Sequence, residues 1–317
     1  MSDDRTDRES ADDAGWGDDA DEWNDPASLH ADDSGRDDAT GGRVEAGADS
    51  SLAPWETGVG KGGFGRAFGE AVGVIVFALV VAFALALGTG FAMLLAGFEV
   101  TSTPTLIVSL TGTQTGFAVA VYAYLRWRNE PASNLGVAIP DLRGLALVAA
   151  GLIGTLALSI TASVAVTLLD LQPAQNATTS QASSDPTSLL LLIPVMLLVV
   201  GPCEELLFRG VVQRRIRERA SAPVAIVAGG ALFASIHFIA LVGDLSAIAT
   251  TIGILFFPSL VFGALYEYGK NIVVNALVHG LYNSVLLALS YVAIRFAPES
   301  AQPEGAAAVL DALAIAL

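Results

Sequence analysis

Apolar runs of about 20 residues recur seven times along this 317-residue chain, at about 70–96, 104–125, 144–171, 188–208, 222–243, 247–266 and 272–296. A helix of that length crosses the ~30 Å hydrocarbon core of a bilayer, so the runs predict a polytopic membrane protein rather than two or three soluble domains. The third run is long enough to tilt or to continue past the membrane. A last apolar stretch, 305–317, is too short for a span and reads as an interfacial or packed helix. The expected fold is therefore an all-α membrane helix bundle of about seven to eight spans.

Charge divides the chain sharply. Residues 1–56 hold 18 Asp and Glu against 4 Arg, whereas the remaining 261 residues hold 14 acids and 12 bases. The formal net charge of −16 thus belongs almost wholly to the amino-terminal segment. That segment is rich in Asp, Gly and Ser, cannot bury enough apolar surface to offset chain entropy, and is expected to be a disordered acidic tail. Trp16, Trp23 and Trp55 are its only docking features. Asp richness, with 14 Arg against 2 Lys, fits a salt-adapted protein kept soluble by surface acids. The acidic start and the late first apolar run argue against a secretory signal peptide. Three regions follow: a tail over 1–60, a transmembrane bundle over 61–300 with its candidate catalytic core at about 185–290, and a short apolar segment over 301–317.

Positive charge falls on alternate loops. Lys61 and Arg66 precede the first run; Arg126, Arg128 and Arg143 follow the second; Arg209, Arg214, Arg215, Arg217 and Arg219 follow the fourth; Lys270 follows the sixth. The intervening loops have no bases, and Arg295 alone dissents. This pattern predicts a multi-pass plasma-membrane protein with its amino terminus cytoplasmic. It also places the sequon Asn176-Ala177-Thr178 in an exterior loop, where glycosylation is feasible.

Within these apolar runs lie Glu204, Glu205, His237 and His279, while the third histidine, His30, sits in the tail. Ionisable groups at membrane depth cost roughly 2.5–3.5 kcal/mol each on insertion scales and mark functional sites by default. Glu205 and Arg209 are spaced for an ion pair on one helical face, with the acid in the favourable amino-terminal position. Glu204 points roughly 100° away and is left to face other helices as a general base. Phe233 and His237 share a face, as do His279 and Asn283. Cys203 could be a catalytic thiol, but with no electropositive neighbour it reads as a small buried apolar residue. As the chain's only cysteine it excludes an intrachain disulfide.

Two hydrolytic chemistries suit this set. Glu204 can activate water while His279 and Asn283 donate toward a developing oxyanion, with no metal. Alternatively His237, His279 and Glu204 can hold a zinc ion with water in the open position. The chain has no H-E-x-x-H motif, so a zinc site would draw its ligands from separate helices.

Together, Glu204-Glu205 to Arg209 (E-E-x-x-x-R), Phe233 to His237 (F-x-x-x-H) and His279 to Asn283 (H-x-x-x-N) resemble the CPBP, or Abi, intramembrane endopeptidases, which include the type II CAAX prenyl proteases. The resemblance covers about residues 185–290. It implies a hydrolase of the metalloendopeptidase class that cleaves a membrane-associated peptide or protein, including the prenylated CAAX type. It also implies that Glu204, Glu205, His237, His279 and Asn283 form the catalytic set, that Glu205–Arg209 is a structural pair, and that Phe233 is a packing residue. The partners expected are the bilayer and a peptide substrate, and no nucleic acid. Two other readings compete. An ion-coupled transporter also buries Glu and His, but this chain has no internal repeat of the broken-helix kind. A catalytically inactive scaffold of the same fold is the other. The catalytic residues are expected to converge on a cavity that opens on the side of the basic loops.

Overall fold

In the computed structural model, residues 63–296 are described; the acidic tail and the segment 301–317 lie outside them. Among the described residues, seven helices are long and apolar enough to cross a membrane: Phe64–Leu95, Thr103–Arg128, Leu142–Leu168, Thr187–Arg217, Ala222–Ala240, Leu245–Gly269 and Ile272–Phe296. They are spans 1 to 7. The protein is an integral, multi-pass, all-α membrane protein.

Span 4 departs most from its expected bounds, continuing to Arg217 instead of stopping near 208. Its basic end stays helical because the arginines find acids within the bundle. Arg209 pairs with Glu205, Arg214 with Glu130, and Arg215 with Glu70 and Glu218. Span 4 is also not uniformly α-helical. A π-helical stretch, Met196–Val200, precedes the α-turn Gly201–Glu205, and a second, Leu206–Gln213, follows it. The Gly201 N–H bonds back five residues to the Met196 carbonyl. Pro202, just after, has no N–H to offer the usual α partner.

Span 4 joins two packed halves. On one side, Ala71, Ala78 and Ala82 of span 1, Phe117 and Ala120 of span 2, and Phe233 of span 5 surround Leu207, Phe208, Val211 and Val212. On the other, Val148, Phe262, Leu265, Val278 and Tyr282 unite spans 3, 6 and 7. A third cluster seats Leu192, Met196 and Val200 of span 4 against Leu287 of span 7. Water does not drive helices together inside lipid, so close backbone approach through small residues matters most. Spans 4 and 7 cross through a pair of glycines. A Cβ on Gly201 would stand 2.7 Å from the Ala276 carbonyl oxygen, and one on Gly280 would stand 2.8 Å from Leu197 Cα.

The two ends of the bundle differ. At the end bearing the basic loops, Arg66, Arg128 and Arg215 surround Glu70, and Glu267 receives both Arg217 and Lys270. Burial pushes the Glu130 carboxyl up, but the hydrogen bond and charge of Arg214, followed by those of Arg128, outweigh it and hold the group below its ordinary value. At the other end, β1 (Gln175–Asn176) pairs antiparallel with β2 (Leu241–Val242), next to the short helix Ala177–Ser183. Asn176 caps that helix, its Oδ1 accepting from the Thr178 and Thr179 amides, and it is 4% exposed. The sequon is therefore no exposed acceptor, because its asparagine is consumed as a buried cap.

Candidate active site

The α-turn between the two π stretches presents the adjacent glutamates to different neighbours. Glu205 is fully buried. Its Oε1 accepts from Arg209 Nη1 at 3.1 Å and from His279 Nδ1 at 2.8 Å, and its Oε2 accepts from Asn275 Nδ2 at 3.3 Å. Arg209 in turn donates to the Ser259 carbonyl at 3.1 Å and lies 4.7 Å from the Phe233 ring centre and 5.3 Å from that of Phe262. The motif phenylalanine thus covers a buried guanidinium, a cation–π contact in a dry setting. A charge pair sunk this deep is tolerated only with further partners; Glu205 has His279 and Asn275, and Arg209 has the Ser259 carbonyl and the two aromatic rings.

Glu204 turns toward span 2. Its Oε1 accepts from Gln114 Nε2 at 2.9 Å, while its Oε2 lies 3.8 Å from His279 Nε2, too far for a direct bond. His279 is thus held between the two glutamates. Its ring also stacks on Phe262, with centroids 4.8 Å apart and planes at 18°. In span 5, His237 Nδ1 meets the Phe233 carbonyl at 2.8 Å. Both histidines therefore direct Nδ1 at groups that only accept. That fixes Nδ1 as the protonated nitrogen and leaves Nε2 for chemistry.

Glu204, His237, His279 and Asn283 line one chamber of about 20 Å³. This is room for about one water molecule. Asn283 makes only a weak contact there, Nδ2 to Met196 Sδ at 3.8 Å, and its Oδ1 has no partner among the described residues. Val200, Glu204 and His237 also line a larger cavity of about 330 Å³, bounded by Leu106, Leu110 and Leu192 and roofed by Asn176, Thr178 and Thr179. That volume lies within the range of small-ligand sites.

The larger cavity corrects one expectation. Its lining comes from the start of span 2, from span 4 up to Glu204, and from the end of span 5, so it lies on the side away from the basic loops. The physical reason is that the basic side is closed by Arg209 and the ion pairs beyond it. Cys203 packs against the cluster of spans 1, 2, 4 and 5.

As for a metal, no group of three His, Cys, Asp or Glu side chains among the described residues is placed to hold an ion. The Nδ1 bonds of His279 to Glu205 and of His237 to the Phe233 carbonyl leave both Nε2 atoms open. As placed, however, His237, His279 and Glu204 are not grouped around a common point as zinc ligands, and no step below passes through a metal.

Gln114 and Asn275 belong to the site but not to the motifs. A signal for Gln114 exists: an amide at membrane depth is itself unusual. Asn275 stands four residues before His279, hence on the same face.

Residues 186–285 match the family model described as type II CAAX prenyl endopeptidase, Rce1-like, which is consistent with the CPBP resemblance. The matched segment holds all three motifs. No curated protein and no solved structure matches the chain.

Proposed function

We propose that the protein is an intramembrane endopeptidase that hydrolyses a peptide bond in a membrane-associated protein or peptide, the prenylated CAAX type among them, by a glutamate-activated water. The observation that supports this reading most is the one-water chamber bounded by Glu204, His237, His279 and Asn283. Water seated there donates one proton toward Glu204 Oε2 and the other toward His237 Nε2. As its oxygen bonds to the scissile carbonyl carbon, Glu204 takes the first proton and the carbonyl electron pair moves to oxygen. The Asn283 amide donates to that oxyanion. When the intermediate collapses, the C=O bond re-forms, the C–N bond breaks, and the proton held by Glu204 passes to the departing amine. His279 lies 3.8 Å from Glu204 with Glu205 behind it. The Nδ1–H of His279 donates to Glu205, which holds the ring beside the Glu204 carboxylate.

The larger cavity supplies a mainly apolar bed for the substrate beside the chamber, with which it shares Val200, Glu204 and His237 as lining. The alternation of basic loops supports a plasma-membrane orientation with the amino terminus cytoplasmic.

The test is cleavage by purified protein of a peptide panel, with and without a prenyl chain, before and after chelator. Expected is turnover that persists with less than about one-tenth of an equivalent of transition metal. Activity lost on metal removal and restored by zinc would replace the metal-free reading, and absence of turnover across the panel would favour an inactive scaffold.

A further inference from the structure

Gln114 lies in span 2, outside the residues that carry the motifs and outside the matched segment, yet it touches Glu204. Its side chain is 4% exposed and spans 90 positions of sequence to donate at 2.9 Å to Glu204 Oε1. That is the one hydrogen bond of this side chain among the described residues, and its Oε1 has no partner. A buried amide serving only the fold is ordinarily saturated, because an unpaired buried acceptor is costly. Here the amide oxygen goes unpaired while the amide nitrogen meets the carboxylate. The reverse orientation would set oxygen against oxygen.

The consequence is a division of labour within one carboxylate. Oε1 is occupied by Gln114 and Oε2 is turned toward His279 and the water-sized chamber. We infer that Gln114 is a positioning residue that fixes the Glu204 carboxylate so that Oε2 alone meets the attacking water. This rests on the reading of Glu204 as the base. No other side chain in the described residues donates a hydrogen bond to Glu204, so without Gln114 the carboxylate can swing about its last torsion and share either oxygen with the larger cavity.

Three variants in the full chain test this against a packing role. Gln114→Met preserves shape but has no donor, Gln114→Glu preserves shape and places an acceptor against Glu204, and Gln114→Asn is one methylene short of reaching it. Cleavage of the best peptide of the panel is measured as kcat and KM, normalised to folded protein from size-exclusion chromatography in detergent, with thermal unfolding alongside. Expected is a kcat loss of about 10- to 100-fold in Gln114→Met, the range of a hydrogen bond to a charged group. The KM should stay within about threefold, the loss should be larger in Gln114→Glu, and Gln114→Asn should match Gln114→Met. A packing role predicts the opposite order, with Gln114→Met near wild type and Gln114→Asn unstable. Should Gln114→Met not fold, Gln114→Asn and Gln114→Glu decide by the same kcat criterion. A variant set with wild-type kcat overturns the inference while Glu204→Ala remains inactive. An active Glu204→Ala overturns the underlying reading instead.

Discussion

The two ends of span 4 treat the polar groups around them in opposite ways. Beyond Glu205 toward Arg217, each of Arg209, Arg214 and Arg215 has a carboxylate within reach. Before Glu205, toward Thr187, the helix borders a cavity of about 330 Å³ and meets amides with unpaired oxygens, Gln114 and Asn283. One end has its arginines matched by carboxylates of the protein, and the other keeps amide oxygens in reserve beside a cavity. Adjacent residues in the sequence, Glu204 and Glu205, stand on either side of that boundary. Charge at membrane depth therefore does not identify a reactive group; what identifies it is how many of its partners are already in place.

The sharpest way to break the comparison is at the boundary itself. Replacing Glu204 by Ala should lower turnover by about 10²- to 10⁴-fold, the range of a general base, and lower the thermal midpoint far less than loss of Glu205 does, as read by paired activity and melting assays. Glu205→Ala should behave differently. It strands a buried guanidinium, so unfolding should become easier by about 3–5 kcal/mol, with activity lost as a result. Equal melting of the two variants, with activity lost only in Glu205→Ala, would exchange their roles.

A smaller effect is expected where spans 4 and 7 cross. Gly280→Ala places a Cβ 2.8 Å from Leu197 Cα, a backbone-bound atom that cannot simply rotate away. The cost should be about 1–3 kcal/mol of stability. Turnover should fall further than stability does, because His279 is displaced from both glutamates. Restored activity at full helix separation would contradict the placement of His279.

The smallest effect belongs to the satisfied end. Glu130→Gln removes the partner of Arg214 and Arg128 and should cost about 0.5–1 kcal/mol with turnover unaffected. Its folded pKa lies below the ordinary 4.5. The contribution is thus present above about pH 4.5 and is lost as pH falls through the depressed value. Wild type and Glu130→Gln should therefore converge in stability under acid. Divergence there would mean that Glu130 is not the paired group.

Much of this was legible in the residues. Seven spans follow from apolar length alone, since a bilayer leaves the backbone few choices. The separation of Glu204 from Glu205 follows from the rotation per residue in a helix, and the Glu205–Arg209 spacing from the same geometry. What local periodicity cannot supply is contact between distant helices. Gln114 with Glu204, His279 with Glu205 and Arg209 with the Ser259 carbonyl join residues 50 to 90 positions apart. Nor does hydropathy register that Arg214 and Arg215 are neutralised, so span 4 looks as though it should end where its charges begin. The side on which the cavity lies is hidden for the same reason: bases near a helix end suggest a wet mouth, whereas here their partners close it. The sequon shows a further limit, since a triplet does not reveal that its asparagine is buried as a cap.

The π-helical turns flanking Gly201–Glu205 carry a consequence for how this chain can change over time. A π-turn accommodates one residue more than an α-turn, so a stretch such as Met196–Val200 can lose a residue and relax into ordinary helix without any break in the backbone. The helix would survive, and so would its hydropathy. Because the number of turns is kept, what lies beyond would stay in phase with what precedes it. A deletion in the plain α-helical part of span 4 would instead rotate everything beyond it by about 100°, carrying Glu204 away from Gln114 or the upstream half away from span 7. Single-residue deletions within the π stretches should thus be better tolerated than deletions in the α-helix beside them, which should yield inserted, folded, inert protein.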